Sequence, residues 1–471
     1  MSTVDQGLAA KFRGSSPTET SGSDKTPIVI LGGGIAGLSA ADTLSARGYN
    51  ILVIESSDKC GGTHRSTEIG PYTFDAGSIF YEDNARLFSL AEGLRDLCPP
   101  VRRVQRRITP DGQLKHYPIE PRDLMSWPKA RLAVAVADLL WSRLAQKQDG
   151  TLEAICRKRL GETMFAGTGL RSYITRFNHM PPGEIDEEFF FHRMGFIEKA
   201  TRGRALMQSA FRMLRKKPFR RGKRSPLRVR PEAGFDQLFD RIKAQLEARG
   251  VQFRLAETLQ TISPAGDGFD ITTDKSVHRA ASVIGALPLD TLHRALFGTS
   301  SELRSLDLMT LFVSASRLDP EAGNVLFNFH ETGRWKRATI YSRLYSDRDT
   351  TREFLAAEVT LPVGHSPDPE AAFADFSAHL SGLGLAEDLR LEGHTIVSSA
   401  YPLYMPGRQA DLARILDKVT GAGVIPVGRQ GRFEYLPTAG GVIAQVAREL
   451  DAAALPDRPA ARPDDRTLIA V

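Results

Sequence analysis

Residues 27–55 read PIVILGGGIAGLSAADTLSARGYNILVIE, and this stretch decides the fold. PIVIL is a short apolar run of the kind that forms a strand covered on both faces. It leads directly into Gly32-Gly33-Gly34-Ile35-Ala36-Gly37, a G-x-G-x-x-G. IAGLSAADTLSARG then has helical periodicity with small residues on one face, and ILVI is a second strand ending at Glu55. Each position has a job in a β-α-β unit. Gly32 permits the tight turn, Gly34 lets the backbone approach a pyrophosphate, and Gly37 lets helix and strand pack closely. The unpaired N–H groups of Ile35 and Ala36 at the helix start face phosphate, and Glu55 is placed to accept ribose hydroxyls. The stretch predicts a parallel sheet that binds a dinucleotide.

Outward from this unit, composition narrows the field. The chain has 471 residues, 41% of them hydrophobic and 25% charged, enough for a large core divided among two or three domains. No uninterrupted run of about 18 apolar residues occurs, which argues against a helical membrane span. Cys60, Cys98 and Cys156 cannot all pair within one chain and have no metal-ligand spacing. They point to a reducing compartment, the cytoplasm, and to no metal. Sixty-two Lys and Arg against 56 Asp and Glu give a net charge of +6. Much of that excess sits in RMLRKKPFRRGKRSPLRVR, residues 212–230. Read alone, this run is a solvated loop or a peripheral contact with anionic lipid; no recognition fold for nucleic acid accompanies it.

A second pair of glycines follows the acid: Glu55-Ser56-Ser57-Asp58-Lys59-Cys60-Gly61-Gly62-Thr63. The pair has no role in the simplest NAD unit and resembles the second nucleotide-contact segment of flavoproteins with two dinucleotide-binding domains. Near the other end, Gly428-Arg429-Gln430-Gly431-Arg432-Phe433-Glu434-Tyr435 precedes the helical GGVIAQVAREL. This is similar to the C-terminal flavin segment of the FAD-dependent amine oxidase and protoporphyrinogen oxidase superfamily. Arg337-Ala338-Thr339-Ile340-Tyr341-Ser342, Arg176-Phe177-Asn178-His179 and Tyr401-Pro402 narrow the resemblance to the UDP-galactopyranose mutase-like branch.

The resemblance implies an α/β fold: a Rossmann-like, two-dinucleotide-binding FAD domain, an inserted mainly helical region and an antiparallel sheet substrate domain. It places the FAD domain at 26–100, 225–300 and 397–455, the helical insertion at 101–224 and the sheet at 301–396, while composition reads 1–25 as a polar tail and 456–471, rich in Pro and alternating charge, as a second. It further implies FAD contacts at Ser56, Gly61, Gly62, Thr63, Gly77, Ser78, Leu259, Gly428, Arg429 and Gly441. Arg337, Arg432, Tyr435, His179 and Tyr401 are the implied substrate and catalytic residues. The positive charge of Arg337 and Arg432 suits an anionic small molecule, a nucleotide-linked sugar first, because the planar guanidinium fork pairs with phosphate oxygens.

Two departures keep the reaction open. Ser78 and Ile79 stand where the mutases place a flavin-side histidine, and Glu434 stands where they carry a second diphosphate-binding arginine. Arg432 compensates for Glu434 if residues 432–434 are an extended strand, whose alternate positions share a face. The expected activity is a ring-isomerising, mutase-like reaction. The alternatives are oxidation of an amine, alcohol or saturated carbon, and a non-catalytic flavoprotein with a binding role.

Overall fold

The computed structural model describes residues 26–77, 79–119, 121–202, 226–345, 351–362 and 364–456. Its first layer is a five-stranded parallel sheet. In spatial order the strands are Gln252–Arg254, Ile51–Ile54, Ile28–Leu31, Ser282–Gly285 and Val424–Pro426. In chain order that is the third, second, first, fourth and fifth strand, so the direction of strand addition reverses beside Ile28–Leu31. Alternation along the strands explains their continuous apolar sequence. Ile28, Ile30, Ile51 and Val53 enter one core with Leu38, Phe239 and Val446 from three helices. Val29, Leu31, Leu52 and Ile54 enter another with Leu292, Ile415 and Val419. Both faces are covered, as a parallel sheet requires.

The second layer is a seven-stranded, mainly antiparallel sheet. Its order is Arg390–Pro402, Ser305–Ala315, Glu353–Pro362, Arg337–Ile340, Val325–Asn328, Gln105–Ile108 and Leu114–His116. Met309, Leu311, Val313, Ala357 and Val359 pack one of its faces on Phe376 and Leu380 of the helix Pro369–Gly382. Phe312, Phe354 and Ala356 turn the other way and join the core of the parallel sheet. A third body, helical and centred on Phe165, Ile174, Phe177 and Phe190, closes over one end of this sheet through Leu306, Val325 and Phe327.

Some expected boundaries shift. Residues 101–224, expected to be mainly helical, also supply the hairpin Gln105–Ile108 and Leu114–His116 to the large sheet. The strand Arg390–Pro402 runs through the expected boundary at 396/397. The run VQFRLAETLQTI divides: Gln252–Arg254 joins the parallel sheet, while Leu259–Ala265 begins a separate three-stranded antiparallel sheet. The basic stretch divides too. Residues 212–225 lie outside the described residues, but Arg228 bonds Asp83 and Arg230 is fully buried on Asp75 at 2.8 Å. These last two arginines hold the structure together and are not part of a solvated loop.

Candidate functional site

The glycine turn is built almost wholly from backbone. Gly32 N–H donates to Ile54 C=O at 2.8 Å, and a Cβ on Gly37 would lie 1.8 Å from Gly32 O. Only glycine fits at 37. The helix Ile35–Ala46 has no side-chain cap and no acid in its first turn, and its first bond joins Leu38 N–H to Gly34 C=O at 2.9 Å. The N–H groups before Leu38 are therefore left pointing out of the helix end. Glu55 is buried, accepts Gly33 N–H at 2.7 Å through Oε2, and has Ser56 Oγ 3.3 Å from its Oε1. Gly61 N–H donates to Gly33 C=O at 2.9 Å, and a Cβ on Gly62 would lie 3.1 Å from Gly34 Cα. Two bare backbones thus face each other across an uncapped helix end, which is the donor chemistry and the clearance that a pyrophosphate needs.

The remaining expected cofactor residues divide. Gly428 packs so tightly on this turn that a Cβ there would lie 2.4 Å from Ala36 Cβ. Gly441 N–H is held by Thr438 Oγ1 at 3.1 Å in the first turn of the helix Ala439–Ala452. Thr63 is exposed and Gly77 half-exposed. Ser78 lies outside the described residues. Leu259 packs in the cluster of Val29, Leu31 and Ile54, within the sheet's apolar layer. Arg429 turns from the glycines toward two aromatic rings, its guanidinium 5.1 Å from the centre of Tyr401 and 5.7 Å from that of Tyr435.

Those rings belong to a second constellation, made from side chains. Arg193 stacks on Tyr435 at 4.1 Å, Phe177 at 4.3 Å and Tyr401 at 4.8 Å. Its Nη1 is buried without a hydrogen-bond partner. Lys336 Nζ donates to Tyr401 Oη at 2.9 Å and lies 2.7 Å from Glu358 Oε2. Arg337 sits directly across from Glu358 on the neighbouring strand and bonds its Oε1 through Nε at 2.9 Å and also through Nη2. Tyr117 stacks on Phe327 at 3.8 Å and Tyr173 on Phe329 at 4.6 Å. Solvent reaches part of Tyr117, Tyr173, Arg337, Tyr401 and Tyr435, although protein surrounds them closely enough for burial to raise the phenols of Tyr117 and Tyr173. Partial access combined with desolvation describes the walls of an internal cleft.

The electrostatics of the cleft are lopsided. Lys336 and Arg337 pair with the carboxylate of Glu358, while Arg193 and Arg429 stand over the ring of Tyr401. Burial opposes the charge on Glu358, but Arg337 and Lys336 overcome it and hold the carboxyl down at about 2. Burial likewise opposes ionisation of Tyr401, yet Lys336, then Arg337 and Arg429, bring its phenol below the ordinary value. At the glycine end, burial and Arg429 lower His64 to about 4, so its ring is neutral at pH 7. The sequence reading named Arg337, Tyr401, Tyr435 and Arg429 but missed Arg193, Lys336, Glu358, Tyr117 and Tyr173.

Two expected residues do not join the cleft. Gly428–Gly431 is a helical turn and Arg432 continues with αR backbone, so Arg432 is not on an extended strand. Its guanidinium points to Glu449 at 3.5 Å, which removes the basis for compensating Glu434. His179 is exposed at the C-terminus of the helix Leu170–Asn178 in left-handed conformation, where its Nε2 lies 2.7 Å from Thr360 O. It secures a helix end. A separate cleft of about 230 Å³, lined by Arg107, Lys115, Asp123, Trp127 and Arg131 among others, shares no lining residue with this constellation. Among the described residues no His, Cys, Asp and Glu cluster is arranged to hold a metal ion.

Comparison with known proteins agrees with this geometry. The solved structure of reduced UDP-galactopyranose mutase superposes with a TM-score of 0.73 at 19% identity, covering 91% of this chain and 95% of that one. The 1-hydroxycarotenoid 3,4-desaturase of Flavobacterium sp. (strain P99-3) is 40% identical over 73 residues, 16% of this chain and 14% of that protein. Protoporphyrinogen oxidase 2, chloroplastic/mitochondrial, of Arabidopsis thaliana is 27% identical over 128 residues, 26% of this chain and 25% of that protein. The chain thus matches a quarter or less of the length of these two curated relatives. Residues 35–374, most of the chain, match the family model of flavin containing amine oxidoreductases. With the glycine turn, the uncapped helix and the returning Gly428 segment all suited to a dinucleotide, the chain belongs to the flavin-containing amine oxidoreductase family and is an FAD-dependent enzyme.

Proposed function

We propose that this enzyme acts on an anionic small molecule, a nucleotide-linked sugar first, in a mutase-like, ring-isomerising reaction. The observation that carries the reading is Arg193, a guanidinium with a buried, unpartnered Nη1 among Tyr435, Phe177 and Tyr401. Nearby stands Arg429, one residue from the glycine that packs on Ala36. A buried donor without an acceptor costs stability unless a ligand supplies one. The strand order and glycine turn support a Rossmann-like FAD domain, with the ligand at the C-terminal ends of the strands where their order reverses.

In this reading Arg193 and Arg429 hold the diphosphate, and the tyrosine faces orient the sugar. Arg337 is already satisfied by Glu358, so it positions the neighbouring cations and contributes less to binding. Tyr401, its phenol polarised by Lys336, donates a proton to a sugar oxygen or withdraws one from it during ring opening and closure. The aromatic walls keep water from the reacting carbon. Bound FAD supplies an atom that is nucleophilic when the flavin is reduced and accepts hydride when it is oxidised.

One observation favours a redox alternative. The stacked pairs Tyr117 with Phe327 and Tyr173 with Phe329 form an apolar wall that suits a hydrocarbon carrying an anionic end. Such a substrate would lose hydride from a saturated carbon. An anaerobic assay with a nucleotide-sugar panel, run with oxidised and with dithionite-reduced protein, separates the two. An isomer of unchanged mass formed only with reduced flavin supports the mutase reading. Flavin bleaching with loss of two mass units replaces it with the redox one.

A further inference from the structure

The helix Lys129–Ala145 has its polarity turned outward. Ala133, Val134, Val136, Ala137, Leu140, Trp141 and Leu144 are all exposed, Trp141 at 70% and Leu144 at 87%. At about 100° per residue they occupy roughly 160° of the helix circumference. Ala135 and Ser142 are buried on the opposite side, and Asp138 turns inward to accept Thr163 N–H at 2.6 Å. Of the nine large apolar side chains most exposed among the described residues, six lie between Met125 and Leu144. Scattered exposure is ordinary on a protein surface, but one continuous stripe is not.

Two observations decide what covers it. The first is charge. Lys129 and Arg131 stand at one end of the stripe, Arg143 and Lys147 at the other, and no acid lies on the exposed face. Arg143 Nη2 donates to Thr201 O at 2.7 Å, so residue 201 sits beside the C-terminal turn. The sequence that follows, 203–225, holds nine Lys and Arg and no Asp or Glu. The second is area. Seventeen residues of helix are about 25 Å long and ~10 Å wide. A face on the order of 250 Å² is well below the roughly 800 Å² per partner of a stable protein interface. It is ample for an interfacial helix, which needs only to sink its apolar side about 5–10 Å into the headgroup and acyl boundary. No helix among the described residues is long and apolar enough to cross a membrane.

We infer that the exposed face of Lys129–Ala145 is a peripheral membrane-docking surface selective for anionic bilayers, with Leu140, Trp141 and Leu144 inserted and the flanking basic residues on lipid headgroups. The test uses the full FAD-loaded protein and vesicles of phosphatidylcholine with or without phosphatidylglycerol. Wild type should sediment with the phosphatidylglycerol vesicles, less so as salt rises. The triple variant Leu140→Glu, Trp141→Glu, Leu144→Glu should lose binding by tenfold or more while keeping its flavin content and melting temperature. Equal sedimentation of variant and wild type overturns the inference and assigns binding to the basic sequence alone. So does failure of wild type to bind, or a wild-type dimer in gel filtration that the variant dissolves. In a Trp127→Phe, Trp335→Phe protein, Trp141 fluorescence should be quenched by brominated acyl chains; unchanged emission also overturns it.

Discussion

The two halves of the candidate site are made from different parts of the chain chemistry. At the glycine end, backbone does the work: glycines at 32, 34, 37, 61, 62 and 428 bring main chains together, and Glu55 accepts the N–H of Gly33. In the side-chain cleft, long side chains from 117, 173, 193, 336, 358, 401, 429 and 435 converge on stacked rings and ion pairs. The difference teaches that the first half fails by steric exclusion and the second by lost charge. The largest effect should come from the first. Gly37→Val puts a side chain into Gly32 O, where the backbone has no room to give. It should cost about 3 kcal/mol and leave purified protein without flavin, read from the visible spectrum and a thermal melt. A variant that retains full flavin would break the comparison at its base.

In the cleft, Glu358→Gln should come next. The carboxylate is buried between Lys336 and Arg337, and removing its charge leaves two cations facing each other. A loss of about 3 kcal/mol in urea unfolding is expected, because breaking a buried pair strands its partner. Flavin affinity should change far less than in Gly37→Val, which is how the two halves are told apart. Arg193→Ala should leave folding nearly intact and weaken UDP binding by about 2 kcal/mol, roughly thirtyfold, in calorimetric titration. Arg337→Ala should weaken UDP binding less, since Glu358 already occupies that guanidinium. The reverse order would make Arg337 the phosphate clamp and Arg193 a packing residue.

The same contrast explains what the sequence revealed. The FAD end was legible because its geometry is local: strand, three spaced glycines, helix, strand and acid occur within 29 residues, from 27 to 55. Backbone clearance leaves a mark in one-dimensional spacing, since only glycine satisfies it. The cleft leaves no such mark. Arg193 lies in FFFHRM, and only its aromatic neighbours hinted that the arginine is surrounded by rings. Lys336 stands next to Arg337 but reaches the same carboxylate from the adjoining position. Arg432 was placed in the cleft by assuming strand geometry for a segment that turns helically, and a change from period 2 to period 3.6 redirects a side chain to another face. The outward apolar face of Lys129–Ala145 was hidden for a related reason. Its sequence periodicity announces a helix but not which side the rest of the protein covers.

The smallest expected effect per pH unit compares a histidine at the glycine end with one packed outside the cleft. His64, near the glycine turn, and His379, behind the antiparallel sheet, are both lowered to about 4, burial being the first cause in each. His379 Nδ1 accepts Trp335 Nε1–H at 3.0 Å, a bond that only the unprotonated nitrogen makes. The unfolded chain takes up these protons near 6.5, while the folded chain resists them until about 4. The unfolded state therefore binds more protons between those values, and stability falls as pH drops from 6.5 toward 4. His379→Gln should flatten that acid limb by roughly 1 kcal/mol per pH unit, measured by urea unfolding at a series of pH values. His64→Gln should flatten it to a similar degree. Were only His379→Gln to do so, His64 would titrate in the folded protein as it does in water, and the glycine end would be open to solvent in a way the layer behind the antiparallel sheet is not.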